Sequence, residues 1–207
     1  MKCIHRFILG CFNLLYPSKI YGKENIPEGG ALISCNHFSA VDCGYVAKAY
    51  NKDVYFLAKK ELFKKKLLAK IIKSFGGIPV DRENPDMKTM LSAIKILKAD
   101  HKLVIFPEGT RNTTGTDELQ EIKGGVTFFA VKSKKPIVPA MLLKKAGIFK
   151  KARLLIGKPF ELSEFYDKKL TDEDMKKMDE ILISKMKEVQ TELKQILADK
   201  KKKKKCK

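Results

Sequence analysis

The feature that most restricts this chain is an alternation. Short apolar runs closed by turn residues are separated by longer stretches of helical period. Residues 19–21, 31–35, 54–57, 78–80, 103–106, 137–141 and 153–156 predict strands, and residues 40–50, 61–74, 86–99, 125–133 and 172–199 predict helices. A helix between most strands supplies the crossover that a parallel pair requires. The expected fold is therefore α/β, a largely parallel central sheet flanked by helices. A chain of 207 residues suffices for one such core, and 44% hydrophobic residues is too rich for a disordered polyelectrolyte. The expected organisation is an N-terminal apolar membrane-associating helix over residues 1–17, the α/β domain over 18–198 and a polybasic tail over 199–207.

Charge narrows the partners. The net charge of +19 attracts nucleic acid, anionic membrane or phosphorylated small molecules. Nucleic acid is disfavoured, because neither aromatic–basic interleaving nor a known binding module is present. Five dispersed cysteines without a CxxC pair, and only three histidines, predict a reducing compartment and no metal ligand set. No run of about 20 apolar residues exists to span a bilayer. Residues 1–16 instead read as a retained apolar helix, either packed on the core or dipping into lipid headgroups. From Lys59 to Phe75, the residues Phe63, Leu67, Leu68, Ile71, Ile72 and Phe75 share a broad face, with Lys59, Lys65, Lys66, Lys70 and Lys73 mostly opposite. Such a segment lies on anionic lipid or is the surface helix of a basic protein. The terminal lysine run from Lys200 is expected to be disordered, serving anionic lipid or solubility.

Chemistry concentrates at the ends of strands, where open parallel sheets bind ligands. His37 directly follows the strand 31–35 within Asn36-His37-Phe38-Ser39-Ala40-Val41-Asp42. A neutral imidazole accepts a proton, and a carboxylate five residues on can return across the turn to hold its other nitrogen. Asp42 has a second reading, since Ser39-x-x-Asp42 is also a helix-capping pattern. No Cys or Ser lies at an obvious nucleophile elbow, so the pair suits activation of a substrate hydroxyl. Phe106-Pro107-Glu108-Gly109-Thr110-Arg111 follows another strand and should reach the same edge. There Glu108 can pair with Arg111, Gly109 permits close approach, and Thr110 and Arg111 offer donors to a phosphate. In Gly76-Gly77-Ile78-Pro79-Val80-Asp81-Arg82, Arg82 can fork onto phosphate oxygens or pair with a neighbouring carboxylate.

In order and spacing, these blocks with Ile137-Val138-Pro139-Ala140 resemble the glycerolipid acyltransferase family, and within it the bacterial 1-acyl-sn-glycerol-3-phosphate acyltransferases. The likeness extends over about residues 18–160. It implies that His37 is the general base, oriented by Asp42, for attack of a lysophospholipid hydroxyl on an acyl thioester. It further implies that Lys59, Arg82, Glu108, Gly109, Thr110 and Arg111 surround the acceptor's glycerol phosphate, while Asn36 supports the pair. The donor would be acyl-CoA or acyl carrier protein thioester, used as co-substrate with no bound cofactor. The place of work would be the cytoplasmic face of the cell membrane, held peripherally or monotopically. Two departures, Asn112 where Ser often stands and the Ala140-Met141 pair, bear on acceptor preference. The alternatives are another acceptor, glycerol 3-phosphate or a different lysophospholipid, and a non-enzymatic basic membrane-surface protein. Gly76 and Gly77, by close approach, are the candidates for the thioester oxyanion site.

Overall fold

In the computed structural model the described residues are 10, 12–50, 54–74, 76–81, 87–143 and 147–205. Seven strands form one sheet: β1 (Ser18–Tyr21), β2 (Ala31–Cys35), β3 (Val54–Lys59), β4 (Gly77–Val80), β5 (Lys102–Ile105), β6 (Ile137–Leu143) and β7 (Ala152–Ile156). Their spatial order is β1-β7-β6-β2-β5-β3-β4, with every pair parallel except β6 and β7. The helices are α1 (Asp42–Tyr50), α2 (Lys66–Ser74), α3 (Met87–Lys98), α4 (Val126–Ser133) and α5 (Asp172–Lys205). The chain is thus an α/β protein with a mostly parallel central sheet flanked by helices.

The strand sequences explain the layering. All five residues of β2 are buried, as a strand covered on both faces requires. Leu32, Leu103 and Met141 face the core shared with Leu97 of α3, Ala130 of α4 and Met178, Leu182 and Leu193 of α5. Ile33, Val104 and Leu142, one residue out of phase, face Tyr45 and Val46 of α1. Thr171 opens α5 with a capping box: its hydroxyl accepts from the Asp174 N–H at 3.2 Å, and the Asp174 carboxylate accepts from the Thr171 N–H at 3.0 Å.

Two expectations require correction. The helix expected over 61–74 is divided into a 3₁₀ turn at Lys60–Phe63 and then α2, because an ion pair from Lys60 to Asp81 ties the turn to the end of β4. The lysine run expected to be disordered is helical through Lys205. Lysine is a good helix former, and cations are favoured at a helix C-terminus, so α5 continues through it. Of the N-terminal segment, residues 1–9 and 11 lie outside the described residues, whereas residues 12–15 are helical. The Phe12 ring stacks on Tyr16 at 5.0 Å and meets Tyr45 edge-on at 5.6 Å. Gly44 makes that packing possible, since a β-carbon there would stand 2.4 Å from Phe12.

Candidate active site

His37 leaves the C-terminal end of β2, the middle strand of the sheet. Its Nδ1 lies 3.0 Å from Asp42 Oδ2, and the two side chains are 10% and 1% exposed. The same oxygen accepts from the backbone N–H groups of Phe38 and Ser39, both at 2.6 Å. Asp42 therefore satisfies both readings of its position. It reaches back to Ser39 as the acidic member of a capping arrangement and holds the imidazole with the same atom. With Nδ1 committed to the carboxylate, Nε2 is the nitrogen left for substrate. Phe106 stacks on the imidazole, with centroids 4.0 Å apart and planes inclined by 22°.

Below this pair the strand ends are clamped. Asn36 accepts from the Leu142 N–H at 2.7 Å and donates to the Leu142 carbonyl at 3.0 Å. It fixes β2 to β6 and acts on the pair only through the backbone, one step further removed than direct support of His37 or Asp42. On the other side, the Asn112 N–H donates to the His37 carbonyl at 2.7 Å. The loop after β5 and the loop after β2 are thereby joined.

The Phe106-Pro107-Glu108-Gly109 turn closes with a 3.0 Å bond from the Gly109 N–H to the Phe106 carbonyl. Gly109 adopts φ 65°, a left-handed conformation that glycine tolerates without steric cost. Thr110 and Arg111 beyond it are exposed. Glu108 is instead only 2% exposed, and no side chain among the described residues pairs with its carboxylate. The pairing with Arg111 that the sequence allowed is absent. Burial above all, with a smaller push from the charge of Asp42, raises the Glu108 pKa to about 7 against the opposing pull of the backbone amides of His37 and Gln120. Asn112, also buried, organises the next loop: its oxygen accepts from the Thr114 N–H at 2.9 Å, and its amide donates to the Glu118 carbonyl at 2.9 Å.

Other expected residues lie further out. Lys59 ends β3, two strands or roughly 10 Å from β2 at ordinary strand spacing, with its side chain half exposed. Arg82 lies outside the described residues. Gly76 and Gly77 stand at the opposite edge of the sheet, where β4 begins, so they have no access to a thioester held at His37. Gly76 serves a close backbone approach, because a β-carbon there would meet the Val54 carbonyl oxygen at 2.3 Å. Phe106 and Asn112 are the neighbours of His37 that sequence reasoning did not single out for these roles. Their only signal was adjacency to Glu108–Arg111.

These features define an α/β protein with a buried His–carboxylate pair at the carboxyl end of a central parallel strand. A family model described as Acyltransferase matches residues 17–143. The chain is 35% identical over 187 residues to the 1-acyl-sn-glycerol-3-phosphate acyltransferase of Bacillus subtilis (strain 168), covering 86% of this chain and 90% of that one. It is 31% identical to the enzyme of the same name from Streptococcus pneumoniae, over 87% of this chain and 69% of that one. The crystal structure of the 1-acyl-sn-glycerophosphate acyltransferase PlsC from Thermotoga maritima shares the fold. Its TM-score is 0.66 at 24% identity, over 91% of this chain and 79% of that one. The chain belongs to the acyltransferase family.

Proposed function

We propose that the protein transfers a fatty acyl group from an acyl-CoA or acyl carrier protein thioester to the free hydroxyl of 1-acyl-sn-glycerol 3-phosphate, giving phosphatidic acid. The observation that carries this reading is the His37 Nδ1–Asp42 Oδ2 contact of 3.0 Å, made beside the exposed Thr110 and Arg111. The names of the relatives supply the acceptor.

His37 Nε2 takes the hydroxyl proton as the acceptor oxygen attacks the thioester carbonyl, while Asp42 stabilises the imidazolium. The tetrahedral intermediate collapses with cleavage of the carbon–sulfur bond. The departing thiolate recovers the proton from His37, so the enzyme returns to its starting state. The thioester already carries the activated acyl group, and the reaction as written requires no prosthetic group. Thr110 and Arg111 offer donors to the acceptor phosphate, with Lys59 and Arg82 as further cations. Glu108 sits behind this surface and reaches the acceptor through the shape of the turn.

Both substrates are amphiphiles, so the protein works as a peripheral or monotopic protein on the cytoplasmic face of an anionic membrane. No helix among the described residues is long and apolar enough to cross a membrane. The N-terminal apolar segment and the terminal lysines support surface attachment.

The test offers lysophosphatidic acid with acyl-CoA and, separately, with acyl carrier protein thioester to the full chain and to His37→Ala. Phosphatidic acid from the parent, with a loss of ~10²-fold to 10⁴-fold in the variant, is the expected result. Equal turnover by both proteins refutes the mechanism. No product with either donor refutes the acceptor assignment.

A further inference from the structure

The large apolar side chains that the fold leaves in water are not scattered. Among the described residues, those more than half exposed are Leu14, Leu67, Met87, Ile148 and Phe149. The strand directions place all five at one edge of the sheet. Leu67 lies in the opening turn of α2, which follows the C-terminal end of β3. Met87 opens α3, beyond the C-terminal end of β4. Ile148 and Phe149 lie between β6 and β7, again past a C-terminal end, and the Phe149 N–H donates to the Leu15 carbonyl at 2.7 Å. Leu14 precedes β1, which runs parallel to β7 and so starts at this edge. His37 leaves β2 at the same edge.

A soluble surface rarely gathers its exposed apolar residues around one rim without a partner. The charges beside them identify it. Leu62, Leu67 and Ile71 are flanked by the exposed Lys64, Lys65, Lys66, Lys70 and Lys73, and no acidic residue occurs between Leu62 and Ser74. Lys150 and Lys151 flank Ile148 and Phe149 in the same way. Insertion of short apolar side chains beneath a belt of ammonium groups matches an anionic bilayer surface.

Resting on the membrane reading given above, we propose that the 3₁₀ turn and α2 form a lipid-docking face, with the loop at Ile148 and Phe149 as its counterpart across the sheet, so that the edge bearing His37 is the one pressed to an anionic bilayer. The N-terminal segment is then one anchor among several.

The chain contains no tryptophan, so a single introduced indole reports its own surroundings. Leu67→Trp keeps an apolar group at the face, and Lys158→Trp, on an exposed residue past the end of β7 at the opposite edge, is the control. With phosphatidylglycerol vesicles, Leu67→Trp should shift its emission to the blue and be quenched by brominated acyl chains, while Lys158→Trp does neither. Phosphatidylcholine vesicles should give a weaker response. In the otherwise unaltered chain, Leu62→Gln with Leu67→Gln should weaken phosphatidylglycerol binding by at least about tenfold. Sedimentation with the vesicles but no shift at Leu67→Trp, or equal shifts at both positions, overturns the proposed face alone. No sedimentation of the unaltered chain overturns the membrane reading with it. A lipid-independent shift at Leu67→Trp that grows with protein concentration assigns the face to a second copy of the chain and overturns the proposal.

Discussion

The Asn112 N–H donates to the carbonyl of His37 at 2.7 Å, joining two strand-end loops that are 75 residues apart in the chain. Through this bond the backbone of the candidate base is held by the same loop that presents Thr110 and Arg111. The base and the candidate phosphate contacts are therefore tied to each other through one backbone bond.

Asp42 orients the imidazole and also closes the turn at Phe38 and Ser39, so its substitution should be costly in two ways. Asp42→Asn is expected to reduce acyl transfer by ~10²-fold or more. It should also lower stability by roughly 1–3 kcal/mol, since charge-assisted bonds to two backbone N–H groups are weakened. His37→Ala should lose activity with a smaller change in urea midpoint. Paired assays and urea titrations of the two variants separate the roles.

Glu108 carries a pH signature. Its pKa rises from 4.5 to about 7 in the folded chain, so between these values the native state holds a proton that the unfolded state has released. The resulting stability is complete below 4.5, declines as pH rises, and is gone above about 7. Glu108→Gln should flatten that slope and exceed the parent at pH 8 by ~1–2 kcal/mol once solvent screening is allowed for. Urea unfolding at pH 5 and at pH 8 measures it; an unchanged slope would remove Glu108 as its source.

Asn36 meets both the N–H and the C=O of Leu142 in a dry interior. Asn36→Ala strands both backbone groups at roughly 1–3 kcal/mol each. The melting temperature should fall accordingly. Because the clamp acts on the strand ends, activity measured well below the new midpoint should fall less than in Asp42→Asn.

Gly44 leaves room for the Phe12 ring. Gly44→Ala should lift the N-terminal segment from α1 and make the chain near residue 12 more readily cleaved in limited proteolysis, while the sheet keeps its circular dichroism. A proteolysis pattern identical to the parent would mean that the ring adjusts in place.

Much of this was legible in the sequence. The strand-end positions of His37 and Glu108 followed from apolar runs closed by turn residues, and local hydrogen bonding brought Asp42 back within five residues. The stacking of Phe106 on His37 was not legible, because it depends on β5 pairing beside β2, a long-range choice with no local trace. Asn112 read as a departure from family pattern, yet its side chain knits the 112–118 loop, a role only the folded turn exhibits. Gly76 and Gly77 misled for a related reason: a glycine pair signals close approach but not which end of a strand it serves. The separation of the 3₁₀ turn from α2 depended on a side-chain ion pair to β4, again invisible to periodicity.

The position of β2 as the fourth of seven strands also sets the electrostatic landscape around His37. One flank of the sheet carries the lysines of α2, near β3 and β4. The other receives the end of α5, where Lys200 Nζ stands 4.1 Å from the centre of the Tyr21 ring, at the end of β1 and so at the sheet edge opposite His37. The first lysines of α2 thus share the edge of the imidazole and the last ones of α5 do not, so a negatively charged molecule is drawn toward His37 from one side. Capture of such a molecule should slow as ionic strength rises and the Debye length contracts. Neutralising the first lysines of α2 would remove this attraction, whereas neutralising those at the end of α5 would leave it in place.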